Sequence, residues 1–515
     1  MSALHGTPEL AAGDLQTDRL AAVAWTAAGL AVATGVFLRL YRLDWQSLWV
    51  DEVHTIGPAL TATSLADAYW NYINLAPTPP FYYLFIMEWT RWFGFSEYAL
   101  RLPSALFGIA TVAVLWFGMR RSHSREATAI ATILMALSWP AIYYSQEVRA
   151  YSAVLFFMTW AAVAWMALVK DIGASRGSDW AHLTVAGLLA TATHPFGFIL
   201  VAFLYLYLFF LAVAARRYVV RTVLLGALPV LAYAAWLAGN LLGIQWALGG
   251  AMWERPDLRF FVDIGAFLFH HPVPALLTAI VPLGLGAAAY FGVLRRAVVA
   301  RALDQPAVYL PFMLGVPFAF IFAVAQVQPF LYTRYLIVFL PFIYAFFAVV
   351  VTARRWRVPA TPVLLVAALA TSSLYWIVRD YYVVDKEQAR EVSQFVRSIA
   401  GPSDVIVAGC QEGPPFECKV GPGSRTDADW SKYLYYLNYE TLPELRIVPE
   451  TFAGPIELRA LLDRLEARGY DRLIALGSRA GRGYVLALAD EMKARGKTCT
   501  ETWFHQALAA VCRRQ

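Results

Sequence analysis

Asp51 and Glu52 stand side by side in "LDWQSLWVDEVHT", Leu43 to Thr55, a tryptophan-rich stretch just beyond an uninterrupted apolar run. Further on, Glu147 and Arg149 share "YYSQEVRAYS", His194 lies in "THPFG", and Arg334 opens "YTRYLIVFLP" at its third position. A carboxylate within hydrogen-bond reach of a hydroxyl can act as its general base. Arginine forks match the oxygens of a phosphate. Because all of these residues border long apolar segments, the set suits a substrate with a polar head, an anionic link and a lipid tail. Adjacent residues on a helix point about 100° apart, so one acid of the 51/52 pair would face the chemistry while the other supports it. Each residue also has a purely structural reading. Asp51 and Glu52 would cap an interfacial helix, Arg149 and Arg334 would anchor helix ends to headgroups, His194 would bond the backbone ahead of Pro195, and Glu147 would pair with Arg149.

The elements that position these residues follow from composition. Of the 515 residues 59% are hydrophobic and 15% charged, against about 25% charged in soluble proteins. Apolar runs of roughly 18 residues, enough to cross about 30 Å of hydrocarbon as helices, recur from Leu20 to Val378. The expected crossings are Leu20 to Leu38, Leu102 to Met119, Glu126 to Tyr144, Ala150 to Val169, Trp180 to Thr193, Phe196 to Ala214, Thr222 to Leu241, Val273 to Leu294, Ala307 to Ala325, Tyr335 to Val351 and Pro359 to Val378. That is about eleven helices. "FYYLFIMEWTRWFG", Phe81 to Gly94, is short and carries Glu88 and Arg91, so it reads as a helix lying in the interface. The fold class is thus mainly α: a polytopic membrane domain over residues 1–379, then a C-terminal α/β domain over 380–515 built from pieces such as "DVIVAG" and "DRLIALGS".

The formal net charge is +6, yet it does not point to nucleic acid, because the surplus is clustered between apolar runs. Arg120, Arg121 and Arg125, then Lys170 and Arg176, Arg216, Arg217 and Arg221, Arg295, Arg296 and Arg301, and Arg354, Arg355 and Arg357 fall in alternate loops. The positive-inside rule makes those loops cytoplasmic. The candidate residues and the C-terminal domain then lie on the extracytoplasmic side of an inner or plasma membrane. Arg39 and Arg42 run against this rule. The long, mildly acidic amino-terminal region favours an uncleaved first helix over a signal peptide. All four cysteines, Cys410, Cys418, Cys499 and Cys512, lie in the C-terminal domain, as disulfides in an oxidising compartment would require. The local pairing, Cys410 with Cys418 and Cys499 with Cys512, is the one expected of three. "DADW", Asp427 to Trp430, reads as a polar loop.

Taken in order, "SLWVDEVHT", "TPPFYYLF", "FGFSEYALRLPSALFG", "YYSQEVRAYS", "THPFG", "YTRYLIVFLP" and "DKEQAREVSQFV" resemble the GT-C glycosyltransferases, in the branch of the protein O-mannosyltransferases and the lipid A aminoarabinose transferase. The resemblance spans residues 20 to about 400. It implies an inverting transferase that moves a sugar from a polyprenyl phosphate to a hydroxyl of a glycan, lipid or protein acceptor at the outer leaflet. By that likeness Asp51 is the catalytic base and Glu52 its neighbour. Arg149 and Arg334 would meet the leaving phosphate, with Tyr82, Tyr151 and His194 as hydrogen-bond partners and Glu147 close by. Thr78 departs from the pattern, since the aminoarabinose transferase has a lysine before the proline. Some members use a divalent metal, magnesium or manganese; Glu52 and Glu147 are the candidates here, but two acids make a thin site, and no cofactor is required. A lipid or glycan transporter or flippase is the alternative, which the lack of charge inside the crossings opposes. A non-catalytic receptor would need no acids at all.

Overall fold

The computed structural model describes residues 25–71, 78–240, 255–269, 303–352, 371, 373–383, 386–408, 446–448, 455–478 and 481–513. Cys410, Cys418, the "DADW" loop, the expected crossing Val273 to Leu294 and most of Pro359 to Val378 lie outside them.

Among the described residues, six helices are long and apolar enough to cross a membrane, or seven if one bent pair counts as a span. This is an integral membrane protein. The described spans are fewer than the eleven expected. The first helix, α1 (Trp25–Leu40), is short. After it come three helices of the first long loop, α2 (Val50–Thr61), α3 (Leu65–Asn71) and α4 (Phe81–Phe93), the last being the helix expected to lie in the interface. Then follow α5 (Glu97–Met119), α6 (Arg125–Ala136), α7 (Trp139–Tyr143), α8 (Tyr151–Lys170), α9 (Gly177–Thr193), α10 (Pro195–Ala215) and α11 (Val219–Gly239). Beyond these the spans Pro306–Val327 and Thr333–Thr352 complete the described bundle. Its centre is α8, buried along nearly its whole length and packed on α5, α9 and α10. By contrast, most of α11 is exposed, as an apolar helix facing lipid would be.

The expected crossing from Glu126 to Tyr144 is broken: α6 and α7 meet at a 55° bend. Pro140 is the cause. Without an N–H it cannot bond to the carbonyl of Ala136, four residues back, and the ladder stops there. Ser138 caps the new helix by accepting from the N–H of Ala141. The freed carbonyls are taken by the buried Arg39, whose Nη1 donates to Ala136 O at 2.8 Å and whose Nη2 donates to Met135 O at 3.1 Å. Arg39 is therefore an internal helix cap, and this is why it breaks the loop-charge pattern. Arg42 packs over the rings of Tyr41 and Trp45.

Among the described residues the C-terminal domain forms a five-stranded sheet, β1 (Val405–Ala408), β2 (Arg446–Val448), β3 (Arg472–Ser478), β4 (Thr498–Phe504) and β5 (Ala507–Arg513), in the order β2-β1-β3-β5-β4. Both β1 pairings are parallel, while β5 runs antiparallel to β3 and β4. Strand alternation sorts the core into two faces. Leu473 and Ala475 pack with Leu461 and Leu488 of the helices Pro455–Arg468 and Gly481–Ala494. Ile474 and Leu476 pack with Val392 and Val396 of the helix Ala389–Ile399 on the other face. β2 and β4 were not expected from the sequence. Cys499 and Cys512 face each other across β4 and β5 and form the expected disulfide.

Candidate active site

Glu52 is the third residue of α2 and is sealed from solvent, although it is a carboxylate. Its Oε1 accepts from Arg101 Nε and Val148 N, both at 2.9 Å. Its Oε2 accepts from Arg101 Nη2 at 2.8 Å, Lys386 Nζ at 3.1 Å and Trp49 N at 3.3 Å. Burial alone would push this carboxyl up, but Arg101 and Lys386 outweigh it and hold it below its ordinary value. Arg101, at the start of α5, is equally buried and also donates to the carbonyls of Leu43, Gln46 and Ser47. One side chain thus fixes the stretch ahead of α2.

Asp51 sits one helix step round and keeps 25% of its side chain exposed. Two arginines from distant loops meet at its Oδ2: Arg334 Nη1 at 3.1 Å and Arg149 Nη2 at 3.5 Å. Arg149 Nη1 also donates to Asp51 O at 2.9 Å and to Thr55 Oγ1 at 3.1 Å. Burial raises the Asp51 pKa, yet Arg149 and Arg334 prevail and leave it lower than usual. Both guanidinium groups lean on the ring of Tyr151, at 5.6 and 5.8 Å from its centroid. His194 follows in the same cluster, its ring 5.9 Å from Tyr151 and 5.1 Å from Tyr335. It caps α10, with Nδ1 accepting from Phe196 N at 3.2 Å, so the proton of the neutral ring is on Nε2. Burial, helped by Arg149 and Arg334, pushes its pKa down to about 3.

Of the residues singled out in the sequence, Asp51, Arg149, Arg334, Tyr151 and His194 come together, while Glu52 and Glu147 form a buried layer beneath them. Tyr82 is fully enclosed. Its hydroxyl is buried and shares a 2.6 Å hydrogen bond with Ser104. Glu147 is also placed differently from its simplest reading: its carboxylate lies 3.2 Å from Lys386 Nζ instead of pairing with Arg149. Thr78, where a lysine was the family expectation, donates to the Tyr83 hydroxyl at 3.1 Å. Arg101 and Lys386 were missed. Arg101 lies within a quoted motif, but an arginine leading into an apolar helix reads as a headgroup anchor.

Comparison with known proteins agrees with this architecture. The sequence profile of the family described as dolichyl-phosphate-mannose-protein mannosyltransferase matches residues 77–238. No curated protein sequence matches the chain. Among solved structures, ArnT from Cupriavidus metallidurans in the apo state superposes with a TM-score of 0.58 at 14% identity, covering 95% of this chain and 98% of that one. The same protein bound to undecaprenyl phosphate gives a TM-score of 0.54 at 14% identity, over 94% and 97%. The fold is therefore that of the GT-C membrane glycosyltransferases, and in sequence and fold together the chain resembles their mannosyltransferase and ArnT branch.

Proposed function

We propose that this chain is an inverting glycosyltransferase, using a polyprenyl-phosphate sugar as donor and a hydroxyl of a glycan, lipid or protein as acceptor. The observation that carries the reading is Asp51: a partly open carboxylate held by two arginines against an aromatic wall, above a buried layer that fixes its helix. In the reaction Asp51 takes the proton of the acceptor hydroxyl as that oxygen attacks the anomeric carbon. The bond from the anomeric carbon to the phosphate oxygen breaks on the opposite face, and the electron pair leaves with the phosphate. Arg149 and Arg334 stabilise the charge that gathers there. The same arginines restrain Asp51 before the donor arrives. A bound phosphate competes for them, so donor binding restores basicity to the carboxylate just when a base is needed.

The undecaprenyl phosphate in the ArnT complex supports a donor of this type, and the Cys499–Cys512 disulfide supports placing the outer domain in an oxidising compartment. On this reading the site faces outward from an inner or plasma membrane. The test is to give membranes a panel of radiolabelled undecaprenyl-phosphate sugars with wild type or Asp51→Asn. We expect one labelled product from the wild type, lost by at least about 1,000-fold in the variant, within the range for a missing general base. Equal transfer by both removes Asp51 as base.

A further inference from the structure

The two acids that the sequence nominates for a divalent metal already share a protein cation. Lys386 Nζ lies 3.1 Å from Glu52 Oε2 and 3.2 Å from Glu147 Oε1, and its side chain is 5% exposed. Glu52 is further occupied by Arg101 and by the N–H of Val148. A magnesium or manganese ion needs six or so oxygen ligands, and no group of three potential ligands gathers among the described residues. A dication here would also stand beside two positive side chains. The donor set does not fit a metal.

Lys386 comes from the segment that leads out of the membrane domain, three residues before the helix Ala389–Ile399 of the outer domain. Its backbone N–H donates to Gln46 Oε1 at 2.8 Å, so the residue is held at both ends. Around it the outer domain is fastened to the same loop. Arg390 donates to Asp44 O at 2.8 Å and Trp45 O at 3.0 Å and pairs with Glu97; Ser47 Oγ donates to Glu391 Oε2 at 2.8 Å.

We infer that Lys386 is the resident cation of this site, a positioning residue that ties the outer domain to α2 through Glu52 and so aims Asp51 at the acceptor. This rests on the proposed transferase reading and adds that transfer needs no divalent metal. The outer domain is then part of the catalytic apparatus.

The test uses the full-length protein. Lys386→Met should lower kcat by about 10-fold or more while the KM for the labelled donor stays within about twofold, because Arg149 and Arg334 remain to hold the phosphate. Removing one partner of a buried pair can prevent folding, so Lys386→Met/Glu147→Gln is made alongside. In that double variant thermal stability should recover and turnover should stay depressed. Recovery of wild-type turnover instead would reduce Lys386 to a neutraliser of Glu147 and overturn the inference, as would a Lys386→Met protein with wild-type kcat. Independently of activity, 1 mM manganese should leave the melting temperature of the wild type unchanged; a rise would mean that a metal binds the native site and would also overturn it. If the wild type transfers sugar from no donor, the transferase reading fails, and the manganese melt still decides what holds the acid pair.

Discussion

Arg101 and Glu52 meet fork to carboxylate, at 2.9 and 2.8 Å, with neither side chain more than 2% exposed. A geometry this closed is costly to break from one side, because the remaining charge has no water to turn to; losses of about 3–5 kcal/mol are typical. Lysine cannot reproduce the fork. We therefore expect Arg101→Lys to melt well below the wild type and to lose transfer in proportion to the folded fraction. A variant that melts with the wild type and transfers normally would show that the pair does not organise the loop.

The pair at Asp51 makes a prediction about pH. Its carboxyl is held below the ordinary value of 3.8 by Arg149 and Arg334. A depressed carboxylate contributes stability above its unfolded pKa and loses it as pH falls through the folded pKa. In kinetics, kcat/KM reports the free enzyme and kcat the enzyme carrying its substrates. The acid limb of kcat/KM should therefore lie below 3.8, and that of kcat at higher pH, since bound phosphate draws the arginines away. Arg334→Gln should move the kcat/KM limb upward. Coincident limbs in the wild type would argue against shared arginines.

How much of this was legible beforehand differs from residue to residue. The unequal roles of Asp51 and Glu52 follow from the helical step between neighbours, and the structure has one acid sealed and the other open. Arg149 and Arg334 could be grouped because charge alternation put their loops on one side, although 184 residues separate Tyr151 from Tyr335, which stand next to these arginines with their tilted rings 6.3 Å apart. Lys386 was hidden because "DKEQAREV" has the charge density of a solvated segment, and burial of its ammonium depends on two acids supplied by other loops. Tyr82 was ambiguous in the opposite sense, since a tyrosine near an interface suits a substrate wall and a buried hydroxyl equally well. β4 escaped notice because "TCTETWF" is an edge strand with polar, half-exposed positions, which lacks the apolar run that marks β3 and β5.

Arg39 offers a test of the bend that aims the loop carrying Glu147 and Arg149. It satisfies two carbonyls that Pro140 and the break leave open, and each buried acceptor left unmet costs about 1–3 kcal/mol. Arg39→Met keeps much of the volume and removes the donors. The expected result is a lower melting temperature together with weaker transfer, because α7 leads directly into Glu147 and Arg149. An unchanged melt would mean that α6 and α7 hold their angle through packing alone.

The disulfide tests orientation and stability together. Cys499 and Cys512 are separated by 13 positions and joined across a hairpin whose strands pair along their whole length. Chain entropy for a loop of about 15 residues would predict roughly 3 kcal/mol, but strand pairing already closes this loop, so the observed loss in Cys499→Ser/Cys512→Ser should be smaller and the domain should stay folded. Cys512 is buried whereas Cys499 is partly open. In a Cys410→Ser/Cys418→Ser background, a membrane-impermeant maleimide should leave intact cells unlabelled before mild reduction and label Cys499 after it. Labelling that requires permeabilised cells would put the hairpin in the cytoplasm, and with it the sheet whose first helix is fastened to the loop carrying Asp51, which would reverse the face on which the acceptor must be offered.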